Sequence, residues 1–140
     1  MDQYIITLAA RNRGFHLVTE ELLSQLPVLS EYTVGLAHFH ILHTSASLSV
    51  NENADPTVRS DMERWYSTAV PDGATDFRHR LEGDDDMPAH IKASLIGSSL
   101  LLPVRAGRLL LGTWQGIYLG EHRNAGGPRR VAVTLTGDKR

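Results

Sequence analysis

Seven histidines stand in this chain of 140 residues, and five of them fall where they can act together. His38, His40 and His43 occupy one short stretch, while His79 and His90 flank the acidic run Gly83-Asp84-Asp85-Asp86. His38 and His40 are two apart on a predicted strand and so share a face, the spacing of many metal-binding strands. Nothing else beside them is a typical ligand, so packing on a half-buried face is the favoured reading for that pair. His43 differs, because it shares its strand face with Ser45 and adjoins Thr44, which brings an imidazole and hydroxyls within reach of one small ligand. His90 is expected in the first turn of a helix, where free N–H groups and the positive dipole end disfavour the imidazolium and can hold an anion. A neutral His90 serves as base or metal ligand; from the residues alone, an ordinary exposed helix position is preferred. The acidic run can chelate a divalent ion together with a diphosphate, although such acids more often complement a helix start. Around Gly112-Thr113-Trp114-Gln115-Gly116, an unbroken strand would aim Thr113, Gln115 and Glu121 at one face.

Elements must hold these side chains in place. Gln3 to Ala10 is β-rich, and Thr19 is expected to cap a short helix whose Leu22, Leu23 and Leu26 form an apolar stripe ended by Pro27. Tyr32 to Leu42 reads as a strand. His43 to Asn51 continues in β, with Thr44, Ala46, Leu48 and Val50 on a dry face and His43, Ser45, Ser47 and Ser49 on a polar one. Asp55-Pro56 supplies an N-cap and a first-position proline, after which Val58, Met62, Trp65 and Ala69 recur at helical spacing until Pro71-Asp72-Gly73. A second helix is predicted from about Pro88 to Ser98, with Ile91 and Leu95 one turn apart. Leu100 to Val104, Leu109 to Leu119 and Arg130 to Thr136 read as closing strands, and the tail after Gly137 as loose. Grouped strands with interspersed helices and no repeating βαβ unit predict one α+β domain over residues 1–140, an antiparallel sheet or sandwich with helices packed on one side.

Composition narrows the partners. A net charge of −2 gives little long-range attraction to phosphate backbones or anionic lipid, so no nucleic acid and no membrane are expected as partners. The absence of cysteine removes disulfides, thiolate metal sites and a Cys nucleophile, and it suits a reducing compartment. The start MDQYIITLAARNRG lacks the basic stretch and long apolar run of a signal peptide, and the apolar runs are too short to span a bilayer. A cytoplasmic location is expected. No Walker loop, G-x-S-x-G, H-E-x-x-H or dinucleotide fingerprint occurs.

Four ordered blocks carry a resemblance: His43-Thr44-Ser45-Ala46, Asn51-Glu52-Asn53-Ala54-Asp55-Pro56, the run from Asp84 to Gly97, and Leu111-Gly112-Thr113-Trp114-Gln115-Gly116-Ile117, followed by Glu121-His122-Arg123. Together they resemble the YjbQ family across nearly the whole chain. The resemblance implies a compact α+β subunit assembled as a homotrimer, and a weak thiamine-phosphate synthase-type transferase activity. That reaction joins hydroxymethylpyrimidine diphosphate to a thiazole phosphate and releases diphosphate, so the expected partner is a small phosphorylated molecule. The matched blocks imply His43, His90 and Glu121 as catalytic residues, with either histidine handling protons and Glu121 orienting an imidazole or binding metal. Thr44, Ser45, Arg78 and Gln115 are implied in ligand binding, and His43, His79 and His90 in holding a divalent metal, zinc or magnesium. Arg78 or Arg80 and the start of the His90 helix would neutralise the departing diphosphate. The rival expectation is a trimer that binds a metal or small anion without catalysis, or with a different catalysis.

Overall fold

Alternation along Tyr32–Ile41 (β3) places Ala37, Phe39 and Ile41 on one face, each at most 1% exposed. The same period of two in Asp2–Leu8 (β1) and Arg129–Lys139 (β8) points Ile6, Leu8, Val131, Val133 and Leu135 to that side. Gly14–Leu17 (β2), Ala46–Glu52 (β4) and Gln115–Glu121 (β7) make a second sheet, which contributes Ala46, Leu48, Ile117 and Leu119. With Ser99–Arg105 (β5) and the short Arg108–Leu109 (β6), the result is a five-stranded sheet of order β1-β8-β3-β5-β6 facing a three-stranded sheet of order β2-β7-β4. All pairings are antiparallel. One core of 18 buried residues lies between the sheets. The computed structural model describes residues 1–140 throughout.

Thr19–Leu23 (α1) closes one edge through Leu22, while Pro56–Ala69 (α2) and Asp86–Ile96 (α3) cover the outside of the three-stranded sheet, α2 against β2 and α3 against β4. The expected sandwich with helices on one side is therefore the observed fold. Each fully buried aliphatic or aromatic side chain of its core contributes roughly 1.5–3 kcal/mol relative to exposure. By contrast, α2 buries none of its residues completely. No helix is long and apolar enough to cross a membrane.

Several boundaries differ from the sequence expectation, each for a physical reason. His43, Thr44 and Ser45 lie in the connection between β3 and β4, not in a strand. The outer face of β4 is polar but closed: Ser47 is 0% exposed because α3 lies over that strand. Thr19 is the first residue of α1 rather than its cap, and its hydroxyl accepts the Ile117 N–H at 2.9 Å. The predicted strand from Leu109 to Leu119 is interrupted over residues 110–114, so Thr113 shares no strand face with Gln115 and Glu121. Finally, the chain after Gly137 is not loose. β8 pairs with β3 as far as Lys139, whose ammonium lies 2.8 Å from Asp2.

Candidate functional site

Asp85 precedes α3, Asp86 opens it, and Gly97 ends it with a φ of 117°. That start is earlier than expected and moves His90 beyond the first turn, so no unpaired amide at His90 is available to an anion. Asp86 and His90 are four positions apart, which places both on one helix face. Asp86 is 2% exposed, and its Oδ2 stands 3.0 Å from His90 Nε2 and 2.7 Å from His79 Nε2. The three ligand-type atoms of His79, Asp86 and His90 lie within 4.8 Å of one another. The Asp86 Oδ1 is held 3.0 Å from Arg123 Nη1. Burial alone would push the Asp86 carboxyl up, but a bond from His79, the charge His90 carries when protonated and the charge of Arg123 hold it below the usual carboxylate range.

The other ring nitrogen of His90 fixes how this cluster works. Its Nδ1 lies 2.9 Å from the Thr44 carbonyl oxygen, which can only accept, so Nδ1 carries a proton and donates it. The Nε2 of the neutral ring is then a lone pair aimed at a carboxylate oxygen. Two such groups at 3.0 Å repel each other unless a proton or a cation lies between them. The rest of the acidic run has other work: Asp85 Oδ2 accepts from Arg123 Nε at 3.1 Å and from the Asn124 N–H at 2.9 Å, and Asp84 is exposed.

On the other side of His90 is an open depression of about 480 Å³, lined by His43, Thr44, Ala46, His90, Ser94 and Ser98 among others. The structure thus brings His43 and His90 to one surface, with Thr44 between them. His43 Nε2 accepts the Arg130 N–H at 2.8 Å. Burial, and then the charge of Arg129, lowers the affinity of this imidazole for a proton below the ordinary histidine value.

Glu121 stands behind this surface, not on it. Its side chain faces inward with Ile117 and Leu119, is 0% exposed, and grips Arg129 through bonds of 2.8 and 2.5 Å. Arg129 Nη2 also reaches the Ser45 carbonyl at 3.2 Å. A Cβ on Gly126 would lie 2.6 Å from this guanidinium and from both Glu121 oxygens, so only glycine allows the loop to close over the pair. Ser45 is buried and meets the site through that carbonyl.

Gln115 lies elsewhere, at the start of β7, where its Oε1 accepts the Gly112 N–H at 2.7 Å and Asn53 Nδ2 reaches its carbonyl. Arg78 is exposed and makes no ion pair. His38 and His40 stack at 6.3 Å on the outer face of the five-stranded sheet, and His40 bonds Ser99, in keeping with a packing role. The sequence reading missed Asp86 as a single ligand, Arg123 as its holder and Arg129 as the partner of Glu121. A four-residue Asp-to-His spacing was the one signal for the first.

A protein-family profile described as "UPF0047 protein YjbQ-like" matches residues 4–138. The chain belongs to this YjbQ-like family. The YjbQ protein of Salmonella typhimurium is 59% identical to it over 136 residues, covering 97% of this chain and 98% of that one. A UPF0047 protein of Synechocystis is 39% identical, covering 97% and 92%. Among solved structures, a YjbQ/UPF0047 protein from Clostridium acetobutylicum superposes with a TM-score of 0.82 at 36% identity, covering 97% of this chain and all of that one. A hypothetical protein from Aeropyrum pernix gives 0.86 at 29% identity, covering 99% and 100%. These YjbQ-like relatives carry names that state no substrate.

Proposed function

We propose that His79, Asp86 and His90 form a mononuclear divalent-metal centre beside a depression that takes a small anionic ligand. The observation that carries this reading is the 2.9 Å bond from His90 Nδ1 to the Thr44 carbonyl. Metal-bound histidines characteristically donate their second N–H in this way, which fixes the tautomer and aims the free nitrogen. Two imidazoles and a carboxylate suit zinc better than magnesium, which prefers an all-oxygen shell. Three protein ligands leave a position for water or substrate. A bound cation would supply Lewis-acid polarisation there, while Arg123 keeps Asp86 ionised and oriented. His43, expected as a third imidazole ligand, is engaged by Arg130 and faces the ligand depression in this reading.

Calorimetry of zinc and of magnesium at two pH values tests it. Zinc is expected to bind in preference, and more weakly as pH falls through the histidine range, because protons compete for the same nitrogens. His90→Ala should weaken zinc by more than the roughly 10–100-fold that loss of an outer-shell partner costs. Unchanged affinity in that variant, or no zinc binding by the wild type, would sink the proposal.

The thiamine-phosphate synthase-type reaction uses the same parts in this reading. Departing diphosphate needs positive charge, and Arg78 is exposed without an ion pair one residue from His79. Turnover with the two substrates, lost in His90→Ala, distinguishes an enzyme from a binding protein. We also read the outer face of the five-stranded sheet as a self-association surface closing a homotrimer in the cytoplasm. Ile5, Val34, Leu36 and Leu101 are all exposed there, apolar side chains of the kind that mark an interaction surface. Light scattering at micromolar concentration should return three times the subunit mass; a monomer would overturn the assembly.

A further inference from the structure

His43 is read from the sequence as a residue that handles protons, and its surroundings restrict how. A ring nitrogen that accepts a hydrogen bond carries no proton, so with Arg130 N–H donating to Nε2 the neutral His43 ring has its proton on Nδ1. Protonating Nε2 would set one N–H against another. Nor can the Arg130 amide turn away. It belongs to β8, whose first residue, Arg129, is fastened to Glu121 and to the Ser45 carbonyl. His43 is itself tethered two residues before Ser45.

The Nδ1–H has no partner within the chain, and His43 lines the depression. Thr44, Ser94 and Ser98, which carry hydroxyls, line it too, and no carboxylate-bearing residue does. We infer that His43 is a fixed hydrogen-bond donor whose Nδ1–H, with these hydroxyls, forms a subsite for an anionic oxygen, that of a carboxylate or a phosphate. Its role is then to hold a negatively charged oxygen in place, and the general-base role falls to another group. The ligand half of this inference rests on the preceding reading of the depression as the ligand site. The tautomer does not.

Long-range proton–nitrogen NMR on the full, metal-free chain near neutral pH reads the tautomer directly, with His43→Gln used for assignment. Nδ1 should show the protonated type and Nε2 the unprotonated type. The reverse pattern, or an average of the two, overturns the inference. Titrating the same sample with inorganic phosphate, and separately with acetate, should shift the Nδ1 resonance. A response to one alone identifies the source of the oxygen, and no response to either overturns the subsite. Loss of the His43 donor should weaken the responding anion roughly tenfold or more, the usual worth of a hydrogen bond to a charged group. Ser94→Ala, a change at an exposed helix position, should weaken it with the fold intact; unchanged binding in both variants overturns the subsite. A zinc titration of the same protein separates failure of the metal reading, which leaves the tautomer and the anion response untouched.

Discussion

Glu121→Ala is expected to cost about 3–5 kcal/mol of folding stability, the range for removing one partner of a buried ion pair. The carboxylate is fully buried and Arg129 is 4% exposed, so the guanidinium left behind would have no solvent to replace its partner. The same rule predicts the opposite for a joint change. Glu121→Leu with Arg129→Met should be near neutral, or stabilising, because the desolvation of both charges disappears with them. Urea unfolding of the two variants measures the difference. A loss below about 1 kcal/mol for Glu121→Ala, the size expected of an exposed pair, would show that the pair does not seal the end of the sandwich.

His122 should make folding sensitive to mild acid. Burial, then the charges of Lys92, Arg129 and Arg13, lower its pKa from 6.5 to about 3, and its Nε2 is occupied by Ser47 Oγ at 2.9 Å. The unfolded chain takes up a proton near pH 6.5, whereas the native state refuses it until about pH 3. The unfolded state therefore binds more protons across that window. Stability is fully present above 6.5 and falls by about 1.4 kcal/mol per pH unit below it. His43, lowered in the same direction, adds to the slope. The lowered Asp85 and Asp86 act only at lower pH, in the carboxylate range. Unfolding free energies of wild type and His122→Gln, compared between pH 6.5 and 4.5, should show a shallower slope in the variant. Parallel slopes would mean that His122 gains its proton without unfolding.

The sandwich was legible because its strands alternate cleanly: Phe39, Ile41, Val131, Val133 and Leu135 fall on one parity and are buried together. Asp55-Pro56 was equally informative, and Asp55 does accept the Thr57 N–H at 2.9 Å. Parity failed where the backbone leaves the pleat. Residues 110–114 turn out of the sheet, held by Asn53 bonds to the Thr113 and Gln115 carbonyls, and Trp114 points outward at 65% exposed. The start of α3 was misplaced because proline fits any position of a first turn. Pro88 marked the beginning while Asp86 already belonged to the helix. That small shift hid the Asp86–His90 spacing. The Glu121–Arg129 grip was invisible for another reason: it closes across a loop, and periodicity carries no information about which inward charge meets which.

The layer outside the three-stranded sheet is assembled differently from the rest. No residue of α2 is fully buried, and the space beneath the helices holds Lys92 Nζ, Glu63 Oε2, Arg59 Nη1 and Ser49 Oγ, all shielded and none with a hydrogen-bond partner in the chain. Such a layer has apolar contact, as where Tyr66 of α2 meets Phe15 at 5.7 Å, but each unpaired polar atom subtracts from what that contact gains. Two tiers of cooperativity are therefore expected. The sandwich opens only on global unfolding, while the α2 layer can lift away at a fraction of that free energy, as a separate unit of amide exchange. Breathing of this kind would wet the Lys92 side chain without disturbing the sheets that fix His43, leaving the ligand-facing connection rigid on top of a protein that is soft behind it.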